Sequence, residues 1–151
     1  VLAGGYRLRE PDARPAEVIL ATCGAVVPEV LAAADLLEAE GLPALVVDIT
    51  SSDRLYREWR IGLRDASRRD RISAPTHHLA RMIAPHERRL PIVTVQDAAS
   101  HHLAWLGGVF GSPVHPVGVD SFGESGTIAA LRGVFDMTAE QIVNAALVAT
   151  A

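Results

Sequence analysis

Two short apolar runs, Glu17–Thr22 (EVILAT) and Ala44–Ile49 (ALVVDI), bracket one longer amphipathic segment. Runs of this length, rich in Val and Ile and barely alternating, mark strands covered on both faces, the pattern of a parallel sheet. Between them, Val26–Glu40 places Val27, Val30, Leu31, Ala34 and Leu37 on one stripe at helical spacing. Cys23-Gly24 turns the chain into that helix, Gly41 stops it, and Leu42-Pro43 leads into the next strand. The result is a β-α-β unit of about thirty residues. A chain that opens this way must bury both faces of a sheet.

The rest repeats the alternation. Pro91–Gln96 (PIVTVQ) and Val114–Val119 (VHPVGV) are further strands, the second placed at an edge or bulge by Pro116. Gly4–Glu10 alternates around Tyr6 and Leu8 and suits an antiparallel edge. Helices are expected from Ser52 or Asp53 through Leu55, Trp59 and Leu63, and from a Thr76 cap through Leu79, Met82 and Ile83. Others are expected over Ala98–Val109, ended by Gly107-Gly108, over Thr127–Phe135 and over Thr138–Thr150. Thr138 and Gln141 form a capping box. The predicted architecture is a three-layer α/β/α sandwich on a mostly parallel mixed sheet of about five strands.

Composition limits the alternatives. One domain is the default for 151 residues. Cys23 is the only cysteine, which excludes a disulfide framework. No apolar run approaches the roughly 18–20 residues of a membrane span, and no cationic segment precedes an apolar one at the start. The expected location is the cytoplasm. Lysine is absent and alanine fills 24 positions, which reads as coding bias. The chain opens on Val1, and a piece of a longer polypeptide is expected rather than a trimmed initiator methionine.

Charge is uneven. Residues 54–89 hold ten arginines and four acids, a local +6 in a chain of net charge −4, leaving −10 for the remainder. This stretch is read as lacking interleaved aromatics and nucleic-acid motifs, so no nucleic-acid partner is expected. Its acids are spaced to pair with arginines along a helix. A solvated or interdomain face is expected, or else a surface for a protein partner, with Arg64, Arg68 and Arg69 as the positions to test.

The chemical candidates are thin. Thr22-Cys23-Gly24-Ala25 lies between strand and helix, where anions bind, but no glycine-rich repeat accompanies it and Asp48 alone does not complete a nucleotide fingerprint. Cys23 has no assignable base or resolving partner. His77, His78, His86, His101, His102 and His115 show no HExxH spacing, although His101 or His102 would lie one turn beyond Gln96-Asp97. Asp97 and Asp120 follow strands, where α/β folds place functional groups and where turns also use carboxylates. In the crossover Gly118–Gly126 (GVDSFGESG), Ser125 is a candidate cap, and Gly123 and Gly126 permit left-handed backbone.

At GVDSFGESG the chain resembles the C-terminal domain of the thiamine-diphosphate-dependent transketolase superfamily. It resembles most the homodimeric pyruvate dehydrogenase (E1) branch, with its Gly-x-Asp-x-Phe-Gly-x-Ser pattern. IAALRGVFDMTAEQIVNAAL at 128–147 is similar to the closing helices of that branch. GGYRLRE at 4–10, EVILATCGAVVPEVLAAADLLEAEG at 17–41 and VVDITSSDRLYREWR at 46–60 are similar to its front. Thr22-Cys23-Gly24 departs from the usual Gly-Ser-Gly or Gly-Ser-Glu turn, and Asp97–Ser100 matches no branch closely. Thr127-Ile128 replaces the Ala-Pro favoured by transketolases, which shifts the expectation toward a 2-oxoacid dehydrogenase.

The resemblance implies a parent enzyme whose two upstream domains bind thiamine diphosphate and Mg²⁺, through a Gly-Asp-Gly…Asn motif and an activating glutamate absent from these residues. It implies decarboxylation of a 2-oxoacid and acylation of lipoyl-E2, with the cofactor carrying the chemistry. The third domain, residues 1–151, would stiffen the homodimer. It would be inert alone and would contribute no catalytic, cofactor-binding or metal-ligating residue. The alternatives are a transketolase C-terminal domain and a free-standing α/β interaction or small-ligand module.

Overall fold

Period-two alternation in the apolar runs sorts their side chains onto two faces, and the computed structural model, which describes residues 3–69 and 76–151, shows where each face goes. The strands are β1 (Tyr6–Arg9), β2 (Val18–Cys23), β3 (Ala44–Asp48), β4 (Ile92–Gln96) and β5 (Val114–Val117). The helices are α1 (Val27–Glu40), α2 (Ser52–Arg69), α3 (His78–Met82), α4 (Gly107–Phe110), α5 (Ile128–Val134) and α6 (Ala139–Thr150). The five strands run in the order β1-β3-β2-β4-β5, with β1 antiparallel to β3 and every other pair parallel. The α/β/α sandwich and the antiparallel Tyr6 edge are as the sequence predicts. Pro116 lies in β5, the last strand of the sheet, where a missing N–H costs least.

Val18, Leu20, Val46, Val93 and Val95 face α1 and α6 in one core. Ile19, Ala21, Leu45, Val47 and Ile92 face Leu55, Leu79, Met82, Leu103 and Leu106 in the other. Helix α1 buries Val30, Ala33, Ala34 and Leu37, one stripe at i, i+3, i+4 and i+7. It ends at Gly41, whose φ of 83° is left-handed. The capping box of α6 is present: the Thr138 hydroxyl accepts from Gln141 N at 3.3 Å and the Gln141 side chain accepts from Thr138 N at 3.1 Å.

Four local expectations need correction. His77, not Thr76, caps α3, with ring Nδ1 accepting from Ala80 N at 3.3 Å. The segment after β4 folds as two 3₁₀ turns, Ser100–His102 and Ala104–Leu106, before α4, which ends at Gly111. Gly107-Gly108 does not stop the helix: a Cβ on Gly107 would lie 2.3 Å from Val114 Cγ2, so this glycine serves close packing. Thr127, not Ser125, caps α5, and neither Gly123 nor Gly126 has positive φ. Among the described residues no helix is long and apolar enough to cross a membrane.

Candidate functional site

From β2 the chain passes through α1 to β3 on one side, and β4 then pairs on the other side of β2. Such a reversal opens a crevice at the carboxyl ends of the strands, the usual ligand position in open α/β sheets. Here it is entered by Cys23 at the end of β2, Gly24 and Ala25 after it, Asp97 and Ala98 after β4, and the β5–α5 crossover. A groove of about 390 Å³ continues from it along Pro28, Glu29, Asp97, Leu131, Arg132 and Phe135.

Several polar groups of this end are committed to structure, while Thr22 Oγ1 and Glu29 Oε2 are buried without a hydrogen-bond partner. Arg132 is buried; its Nε donates to Glu29 Oε1 at 3.1 Å and its Nη2 to the Ala25 carbonyl at 2.8 Å, tying α5 to the start of α1. Ser100 donates its N–H and hydroxyl to Asp120 at 2.9 and 2.5 Å. These bonds, the hydroxyl first, hold the Asp120 carboxyl below its ordinary range. Val119 N donates to the Ala98 carbonyl at 2.9 Å. Gly118 permits that approach, since a Cβ there would lie 2.5 Å from the Ala98 oxygen.

The predicted candidates do not converge on a reaction centre. Burial, and secondarily the Asp48 carboxylate, push the Cys23 thiol up, the opposite of an activated thiolate. Gln96 is buried and donates to the Ala99 carbonyl at 2.6 Å, while Asp97 is exposed. His77 is a cap, and His78 Nε2 bonds the Gly5 carbonyl at 2.8 Å. His86 lies 3.9 Å from Glu87, and His101 and His102 are exposed on their 3₁₀ turn. Among the described residues no three His, Cys, Asp or Glu side chains come together as a metal site. Among the described residues the donor set does not fit a magnesium–diphosphate group.

Two constellations escape a sequence reading. Arg7 donates from Nη1 and Nη2 to both oxygens of buried Glu87, at 2.7 and 2.8 Å, and to the Met82 carbonyl at 2.9 Å. It also pairs with Glu10. Burial alone would raise the Glu87 pKa; the Arg7 bonds and the Ala84 N–H outweigh it, and the net shift is downward. Arg7 is held above its ordinary value by Glu87 first and Glu10 second. With the partners 80 positions apart, no local pattern announces the pair. The second constellation is Tyr56, Trp59 and Trp105, with ring centroids 5.2–5.7 Å apart. Tyr56 and Trp59 do interleave with the arginines of α2, contrary to the expectation for that stretch. Asp53, just before that stretch, pairs with Arg57 at 2.5 Å along α2, whereas within it Glu58 reaches Arg81 of α3 at 3.5 Å and Glu87 pairs with Arg7, neither along one helix. Residues 70–75 and the Arg69 side chain lie outside the described residues.

The family model described as the transketolase-like TK C-terminal domain matches residues 4–138. Transketolase 2 of Xanthobacter flavus is 29% identical over 95% of this chain and 18% of its own length. A plasmid-borne transketolase of Cupriavidus necator is 32% identical over 98% of this chain and likewise 18% of its own. This chain thus spans about a fifth of the curated relatives it matches. A split-gene transketolase, solved as an inactive β4 tetramer, superposes with a TM-score of 0.64 at 27% identity, covering 97% of this chain and 42% of that one. The Campylobacter jejuni transketolase superposes with a TM-score of 0.67 at 22% identity, over 97% of this chain and 18% of that one.

These findings overturn the expected closeness to pyruvate dehydrogenase E1, and the decarboxylation and lipoyl-E2 partner implied by it fall away. The misleading feature was Thr127-Ile128. In the structure Thr127 caps α5 by accepting from Ala130 N at 3.2 Å, and a proline at the first helical position is simply another way to start a helix. That departure reports local helix chemistry, not the branch. With residues 4–138 matched, the chain belongs to the transketolase-like TK C-terminal domain family.

Proposed function

We propose that this chain is the terminal, non-catalytic domain of a transketolase, a thiamine-diphosphate-dependent parent that moves two-carbon units between sugar phosphates and works as a homo-oligomer. The observation that carries the proposal is the match over residues 4–138, with relatives named transketolase of which the chain covers 18%. Arg132 and Asp120 at the carboxyl end of the sheet are held by Glu29 and Ser100, in keeping with a bracing role. The cofactor would then be held by the remainder of the parent. The tetramer of the split-gene transketolase supports self-assembly of such chains.

The test compares the product of the complete native reading frame with the 151-residue chain. Both are assayed with thiamine diphosphate, Mg²⁺ and xylulose 5-phosphate, one of the ketose phosphates seen in complex with transketolase or its mutants from Pichia stipitis. Ketol transfer by the complete product and none by the 151-residue chain is expected. A complete product near 16 kDa, inactive with any added transketolase subunit, would overturn the proposal.

A further inference from the structure

We propose that the outer face of α2 is the surface on which the preceding part of the parent polypeptide docks, through an apolar patch rimmed by carboxylates; this rests on the transketolase reading above. Tyr56 is 41% exposed, yet its ring is already held edge-on by Trp59 and Trp105 at 5.7 and 5.2 Å. Trp105 is anchored in turn by its Nε1, which donates to Ser52 Oγ at 3.3 Å. An aromatic fixed before contact loses little rotamer freedom on binding. Around it Arg57, Arg60 and Arg64 are exposed. Tyrosine, tryptophan and arginine are the residues that dominate protein interfaces when clustered. A shallow groove of about 460 Å³ runs beside them along Ser51, Asp53, Arg54, Arg57, Glu58 and Ile61.

Two observations select the occupant. Helix α2 carries six arginines against three acids, so its partner surface is acidic, and α2 against α2 of a second copy would oppose like charges. The start of the described chain also lies on this helix: Ser51 N donates to the Gly4 carbonyl at 3.0 Å and Gly4 packs on Leu55. The described residues therefore begin at the N-terminal end of α2. The matched transketolases devote 82% of their length to sequence outside the shared part. A covalent tether of this kind gives a high local concentration, so a modest contact suffices.

Hydroxyl-radical footprinting of the complete parent and of the 151-residue chain reads this directly. Tyr56 is expected to react at least fivefold more slowly in the parent, while Val148 on α6 reacts equally in both. In the parent, the Arg57→Glu/Arg60→Glu variant should return Tyr56 to the fast rate without changing Val148. Should the short chain fail to fold, that comparison within the parent decides alone. Equal Tyr56 rates in both proteins, protection of Phe122 in place of Tyr56, or protection within the 151-residue chain that vanishes on dilution would each overturn the proposal. Failure of the transketolase reading is seen separately, as a native product without ketol transfer.

Discussion

Arg7 is the residue on which most of one molecular end depends. It forms a two-point bond to a carboxylate that is only 4% exposed, and breaking such a pair from one side leaves a buried charge without compensation. Arg7→Ala is expected to lower unfolding stability by about 3 kcal/mol in urea titration. The pair also carries a pH signature. Because the folded pKa of Glu87 lies below the unfolded value, its contribution is complete above the ordinary glutamate range and is lost as pH falls through the depressed folded value. Arg7→Ala should flatten stability against pH in that acid window. His77 behaves differently. Burial, then opposing charges with Glu58 raising and Arg88 and Arg81 lowering, brings its pKa down, and its cap needs an unprotonated Nδ1. The unfolded chain binds the proton more readily, so stability should decline as pH falls below about 6.5, the unfolded value. His77→Asn keeps a capping acceptor that does not titrate, and chemical denaturation at pH 7.5 and 5.5 should show a smaller difference than the unsubstituted protein.

Between elements the decisive contact is the approach of the β5 exit to the turn after β4. Both partners of Gly118 there are backbone, with an added Cβ 2.5 Å from Ala98 O and 2.8 Å from Ser100 Cα. Gly118→Ala should therefore cost about 2 kcal/mol through forced backbone displacement, and amide exchange should accelerate at Val119 and Ser100. A merely flexible glycine would give no local exchange change. The same junction shows what was legible. Composition of the loop identified a structured crossover, but the Ser100–Asp120 clasp joins residues 20 apart, beyond any turn rule. Ser125 and Thr127 are both good caps by type. The backbone path selected Thr127, which no spacing rule settles.

Across the whole molecule, stability and candidate interaction surface are separated. Leu20 lies in the central strand with no exposed area, whereas Phe122 is 98% exposed. Leu20→Ala is expected to cost about 3 kcal/mol. Phe122→Ala should stay within about 0.5 kcal/mol. Parallel urea titrations of the two variants check this, and a large loss for Phe122→Ala would mean that the crossover belongs to the cooperative core. The strands, α1, α6 and the mixed sheet were legible because their apolar periods are long and unbroken. The segment 98–110 was not, since its glycines and small residues fit a helix or a chain of 3₁₀ turns equally well, and packing against β5 made the choice.

By itself the sequence determined the layered architecture: runs of Val, Ile and Leu with no polar face can be buried only in a sheet covered twice, and the intervening stripe can only be its helix. It also determined the capping box of α6, because that is written within a few residues, and marked the Tyr6 segment as suited to an antiparallel edge, although its pairing with β3 joins residues far apart. Tertiary structure alone decided the rest. It paired Arg7 with Glu87 and Arg132 with Glu29, turned Gly107 and Gly118 into points of close approach, and gathered Tyr56, Trp59 and Trp105 into one exposed cluster. Each of these depends on distance in space between residues far apart in the chain, and local preference carries no information about that distance.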